Sequence, residues 1–311
     1  MKIVKNNNYA EIENFNILKF SQDEVQQIRD TLFREVVVVI RGQATDPRFY
    51  YGLISSLGQV DNLIQMYWTK NGSTIPEPLR PKFGKNIDYI NWEDPETFPM
   101  QRVSGMKKGG YPTGIFGQGI LDWHCNLTSP VASDGVALQA IEGIDGSVTS
   151  WLNTSTALLD MPKSLYNDLS KAHAEYVYSP DIWAEGALPQ QLFTMINGAE
   201  LTNTRNYKMK LLQKNSAGVE GIYFFTNNRC KVISDNPNLQ EDLQNFLFND
   251  KYIYHNEWKV GDIVISDQML SLHKRQDTDP KILEKRVLNR ITFFLSNYEN
   301  FVLNQNNLKE I

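Results

Sequence analysis

The sequence predicts a mainly β protein: a sandwich or jelly-roll core with flanking helices. Short runs rich in β-branched and aromatic residues recur from Val36 onward, separated by Gly, Asn and Pro turn signals. Helical periodicity is confined to a few segments, and no internal repeat or Pro/Ser-rich linker divides the 311 residues. One domain over 1–311, with long loop insertions around 60–118 and 175–220, fits that pattern.

The elements follow in order. Ser21 and Glu24 form a capping box that opens a helix running to about Phe33. Glu35–Ile40 is dense in β-branched residues and reads as a buried strand, ended by Arg41-Gly42. Asp46-Pro47 opens a second helix, with Phe49, Leu53 and Leu57 at helical spacing and Gly58 as its stop. Residues 60–118 carry Pro76, Pro78, Pro81, Pro95 and Pro99, so long loops and short strands are expected there. Strands are expected over Ile120–Leu127, Gly135–Ile141 and Val148–Asn153, then helices over Ser155–Leu159 and Lys163–Ala174. A strand at Ile222–Phe225, a helix over Leu239–Asn249, and strands over Glu257–Ser266 and Arg290–Leu295 complete the reading.

Composition narrows the function. With 31 Lys plus Arg against 36 Asp plus Glu, the chain carries −5 and lacks the basic surface a nucleic-acid partner requires. Two cysteines, Cys125 and Cys230, are too few for a disulfide framework or a Cys-rich zinc module. The longest compact apolar run, Val36–Ile40, is far too short to span a membrane. Met1–Asn8 lacks the apolar core of a secretory leader, so a cytoplasmic protein without a membrane partner is expected. Histidine is scarce: His124, His173, His255 and His273 are all there are.

In a regular strand Asp122, His124 and Asn126 project to one face, and Cys125 points to the opposite, core face. An imidazole with an oxygen-bearing side chain two residues away is the near half of a facial metal site. Gly261–Asp267, a turn followed by an apolar strand, leads to His273, which could supply a second imidazole. Arg286 and Arg290 share a face of a strand otherwise rich in Val, Leu and Ile. An inward arginine is costly unless it meets an anion, and its planar fork takes a carboxylate in two parallel hydrogen bonds. His173, in an expected helix, and His255, among Tyr252, Tyr254 and Trp258, read as structural.

These segments resemble the taurine dioxygenase family of iron(II)/2-oxoglutarate-dependent oxygenases. The matching residues are Trp123-His124-x-Asn126, Thr149 within Gly146–Trp151, Gly261-Asp262-x-Val264-x-x-Asp267 leading to His273, and Arg286-x-x-x-Arg290. Val37–Gln43 and Leu57-Gly58 resemble the family's N-terminal region, so the similarity touches residues 17–296. The resemblance implies a double-stranded β-helix, a distorted jelly roll. It implies His124 and His273, with the side chain at Asn126, as iron(II) ligands. Thr149 and Arg286 would hold 2-oxoglutarate, and Arg290 the anionic end of a small substrate. The implied activity is oxidation by O2, usually hydroxylation, of an unactivated C–H bond in a small anionic or zwitterionic metabolite, with succinate and CO2 as coproducts. Family members are often homo-oligomers.

One residue departs from the family pattern. The position two after the first histidine usually carries a carboxylate, and here it is Asn126. A neutral amide balances the metal charge poorly. Four readings stay open: Asn126 ligates through its carbonyl oxygen; it replaces an aspartate; another anion takes the ligand position; or the site no longer uses iron. In the last case the chain would act as an anion- or small-molecule-binding protein.

Overall fold

The computed structural model describes residues 1–60, 100–108, 111–112, 116–117, 121–125, 133–178, 205–224 and 230–296. The first strands in chain order are β1 Lys2–Lys5, β2 Ala10–Glu13, β3 Val37–Ile40, β4 Gln59–Val60, β5 Gln101–Ser104, β6 Lys107–Lys108 and β7 Tyr111–Pro112. Next come β8 Leu121–His124, β9 Gly135–Glu142, β10 Val148–Asn153, β11 His173–Tyr178, β12 Arg205–Lys210, β13 Leu212–Lys214 and β14 Glu220–Ile222. The last are β15 Cys230–Ile233, β16 Ile253–Glu257, β17 Ile263–Asp267, β18 Ser271–Arg275 and β19 Val287–Phe294. Among the described residues no helix is long and apolar enough to cross a membrane.

Among the described residues the larger sheet runs β1-β2-β3-β17-β9-β19-β4, with β5 also paired to β19. The smaller sheet runs β16-β10-β18-β8, all antiparallel. Side-chain alternation stacks the layers. Val38, Ile40, Ile263, Ile265, Ile291 and Phe293 face helices α1 (Gln22–Glu35) and α2 (Pro47–Leu57), where Ile28, Leu32, Leu53 and Leu57 are buried. Their neighbours Val37, Val39, Leu138, Val264 and Leu288 turn the other way, against Trp151, Tyr254 and Trp258 of the smaller sheet and the turn beyond it. On the outer side of the smaller sheet, Trp123, Cys125, Leu152 and Leu272 pack with Leu239, Leu243 and Leu247 of the helix Leu239–Leu247. Both faces of the central strands are therefore covered, which explains the unbroken apolar run at Val36–Ile40.

The helix starts follow the sequence. Ser21 accepts the Glu24 N–H while the Glu24 carboxylate accepts the Ser21 N–H. Asp46 caps α2, with Pro47 in the first turn.

Two of the family-like segments lock each other. Arg41 donates to Asp262 Oδ2 at 2.6 Å, to Asn256 Oδ1 at 2.7 Å and to the Tyr254 hydroxyl. The Asp262 carboxylate also accepts the N–H groups of Gly42 and Lys259. Gly261 sits at φ +85°, and a Cβ there would lie 2.3 Å from the Gln43 carbonyl oxygen, so only glycine fits this turn. Asp262→Ala is expected to lower unfolding free energy by about 2–3 kcal/mol, since it takes the buried carboxylate from a half-buried arginine and the acceptor from two amides. Denaturant titration checks this; a loss under about 0.5 kcal/mol would mean the lock carries no stability.

Asp267 ends β17 wholly buried, accepting the Met269 N–H at 2.9 Å and Asn215 Nδ2 at 3.0 Å. Burial, reinforced by the nearby Asp134 carboxylate, pushes its carboxyl up to about 7. The folded chain thus holds this proton more tightly than the unfolded chain, whose carboxyl titrates near ~4. Stability from this group is full below that value and falls as pH rises towards 7. The stability of the parent relative to Asp267→Asn should therefore decline between about pH 4 and pH 7. A pH-independent difference in chemical denaturation would contradict it.

Several expectations are corrected. The helix expected over Lys163–Ala174 ends at Lys171, because Ala172 turns extended and His173 opens β11, paired to β12 and β15. The single strand expected over Glu257–Ser266 is two strands in different sheets, broken by the Gly261 turn. The insertion around 175–220 contains β12, β13 and the start of β14, besides most of β11, and is not all loop. Residues 61–99 of the other insertion lie outside the described residues.

Candidate metal centre

β18 lies between β10 and β8 in the smaller sheet, which sets His273 directly opposite His124. Their ring centroids are 4.2 Å apart. On the other flank Trp151 pairs with His273, the rings stacked at 6.4 Å. His124 Nδ1 lies 2.6 Å from the Asp122 carbonyl oxygen. A carbonyl only accepts, so Nδ1 carries a hydrogen, which makes Nε2 the nitrogen that could meet a metal. Burial, followed by the neighbouring His124 and Arg290, pulls His273 well below the usual imidazole range. It is neutral at pH 7, the form that binds a metal.

The donor set fits part of a divalent metal site. Two imidazoles on adjacent strands, one held neutral by burial and the other oriented by a backbone carbonyl, are what such a site needs from histidine. Asn126 lies outside the described residues. Among the described residues no group of three or more His, Cys, Asp or Glu could hold an ion.

A register shift explains why β8 presents the histidine as it does. His273 pairs with His124 and Arg275 with Leu121, so β8 spends three residues where β18 spends two. This bulge brings Leu121 and His124 both to the interior and leaves Asp122 exposed, correcting the expectation that Asp122 shares His124's face. Cys125 is buried on the outer side, as alternation requires.

Behind the histidines lies a cleft of about 50 Å³ lined by Thr149, Arg275, Arg286 and Arg290, with an apolar wall of Val136, Leu138 and Leu288. Alternation along β19 puts Leu288 and Arg290 on this face, and Arg286, just before the strand, lines it too. Arg286 is 1% exposed; its Nη1 donates to Ser147 Oγ at 3.1 Å, and its buried Nε has no hydrogen-bond partner. Burial, with Arg275 alongside, lowers Arg286 to about 9, and burial lowers Arg275 to about 10. Both stay charged at pH 7. Thr149 Oγ1 accepts the Trp258 indole N–H at 2.9 Å, which leaves its own O–H to donate. Arg290 donates to Gln101 Oε1.

The structure thus brings His124, His273, Thr149, Arg286 and Arg290 to one cleft. Sequence reasoning missed Arg275. Its signal was available: it stands two residues after His273, but the segment 271–275 was not read as a strand, so alternation was never applied to it. Trp258, which orients Thr149, was likewise unread. His173 lies in β11 and His255 in β16, both away from the cleft. His255 Nδ1 is 2.7 Å from Ser150 Oγ and its Nε2 3.6 Å from Asp250, but Ser150 is wholly buried and cannot serve as a nucleophile.

Comparison with known proteins gives the family and the shared fold. The model of the taurine catabolism dioxygenase TauD, TfdA family matches residues 5–292. The chain belongs to that family. Its fold is similar to a crystal structure of AAD-2 in complex with Mn(II) and N-oxalylglycine, at 14% identity and TM-score 0.66, covering 94% of this chain and 97% of that one. It is also similar to a taurine dioxygenase from Burkholderia xenovorans, at 15% identity and TM-score 0.62, covering 92% and 86%. No curated protein sequence matches.

Proposed function

We propose that the chain is an iron(II)- and 2-oxoglutarate-dependent oxygenase that hydroxylates, or otherwise oxidises, a C–H bond of a small anionic or zwitterionic metabolite. The observation that carries this reading is the apposition of two imidazoles beside a cleft that ends on buried arginines. Family membership and the fold shared with AAD-2, a complex with Mn(II) and N-oxalylglycine, support it. The layered sheets are read as a double-stranded β-helix within one domain over 1–311.

In this reading His124, His273 and the Asn126 carbonyl oxygen hold the iron. When bound, the metal supplies the oxidising power of O2 while 2-oxoglutarate is converted to succinate and CO2. The chain's own groups bind and orient. Arg286 grips the far carboxylate of 2-oxoglutarate with its fork, and the Thr149 O–H, fixed by Trp258, donates to the same ligand. Arg290, whose charge is felt at His273, holds the anionic end of the substrate. Val136, Leu138 and Leu288 exclude water, which strengthens each of these contacts.

Anaerobic addition of Fe(II) and 2-oxoglutarate should give a weak visible charge-transfer band, and O2 should then release succinate. A parent chain showing neither, with Asn126→Asp gaining both, would mean that the amide has cost the site its iron chemistry.

A further inference from the structure

We propose that Trp151, Tyr254 and Tyr9 form a radical escape path, which carries oxidising equivalents that arise at the cleft without a C–H bond to attack out to solvent. This rests on the iron reading above and gives a role to rings that the reaction itself does not use.

The rings follow one another from the cleft to the surface. His273, at the cleft, stacks with Trp151 at 6.4 Å between ring centroids. Trp151 stacks in turn with Tyr254 at 6.4 Å, and Tyr254 with Tyr9 at 3.8 Å. Trp151 and Tyr254 are buried, whereas Tyr9, just before β2, is partly exposed. Packing alone does not ask for these residue types. Trp151 keeps a buried indole N–H without a hydrogen-bond partner, a cost that phenylalanine would avoid. What indole and phenol offer over phenylalanine is an electron given up far more readily. The hydrogen bonds then set the direction. Trp151 has no acceptor for its proton, so its oxidised ring stays a strong oxidant. Tyr254 accepts from the Arg41 guanidinium and donates to the neutral amide Asn256 Oδ1, so no base takes its proton either. Tyr9 releases its phenolic proton to water, which traps the oxidised state at the surface. The electrons balance in sequence. A strong one-electron oxidant, made at the cleft from iron and O2 or peroxide, takes an electron from Trp151 and a proton from water. The stacked Tyr254–Tyr9 pair refills Trp151, and Tyr9 is left as a neutral phenoxyl. A soluble thiol or ascorbate then returns an electron and a proton to Tyr9.

The test adds hydrogen peroxide to the Fe(II)-loaded protein, with a nitroso spin trap and no C–H substrate, and locates the adduct by peptide mass spectrometry. Variants are compared at equal bound iron, with thermal unfolding as the check that each is folded. The parent should carry the adduct at Tyr9. Trp151→Phe should lose the Tyr9 adduct, and Trp151→Tyr, which keeps an oxidisable ring, should retain it. Tyr9→Phe should move the damage inward, to Trp151. A Tyr9 adduct that survives Trp151→Phe would overturn the path, because oxidant from solvent would have reached the phenol directly. An iron-loaded parent without a Tyr9 adduct would overturn it as well. A parent chain that binds no iron removes the functional reading and the path together; a parent that binds iron and fails any of these arms removes the path alone.

Discussion

His273→Ala is expected to weaken divalent metal binding by ~100-fold or more while leaving the chain folded. His273 contributes a buried, neutral imidazole beside that of His124, and no other described residue near the pair offers a nitrogen ligand. The ring contacts Trp151 but borders the cleft, so alanine enlarges an existing space and leaves the apolar clusters intact. The structural cost should be about 1 kcal/mol, well below that of an emptied core position. Mn(II) calorimetry paired with thermal unfolding separates the two effects. Metal affinity within about threefold of the parent would remove His273 from the ligand set.

Arg286→Met is expected to act in opposite directions on stability and binding. In the ligand-free chain Arg286 is a wholly buried cation with an unsatisfied Nε and a second guanidinium alongside. Replacing it with an apolar side chain of similar length should stabilise that state by about 1–3 kcal/mol, offset among the described residues by the bond to Ser147. Binding should suffer in proportion. The parent should gain about 2.7 kcal/mol of stability at a 2-oxoglutarate concentration of ~100 Kd, and the variant essentially none. Thermal unfolding with and without 2-oxoglutarate reads both. A destabilised variant that keeps its ligand response would show that Arg286 is a structural residue.

Much of this was legible before any coordinates. The capping box at Ser21, the Asp46-Pro47 helix start and the β-branched run to Ile40 each carry a local physical cause, and each element formed as expected. The pairing of His124 with His273 was not a spacing argument, since 149 positions separate them; the resemblance suggested it and the β8–β18 register shows their contact. What failed were features decided by tertiary context. His173 follows a helical segment, but strand pairing with β12 and β15 captures it. Asp122 follows alternation only in a regular strand, and a one-residue bulge expels it. Asp262, within the family-like Gly261–Asp267 segment, anchors Arg41 through contacts the sequence pattern does not announce. Arg275 was hidden because its strand is short and polar at both ends, so hydrophobic alternation gave it no signal.

The most direct measurement is the number of histidine nitrogens coupled to a bound paramagnetic metal. Electron spin-echo modulation of the Cu(II)-loaded protein resolves the remote nitrogen of each coordinated imidazole. Two coupled imidazoles are predicted for the parent chain and one for either His124→Ala or His273→Ala. A parent spectrum with no imidazole modulation, or one unchanged by both substitutions, would contradict the assignment of this cleft as a metal centre.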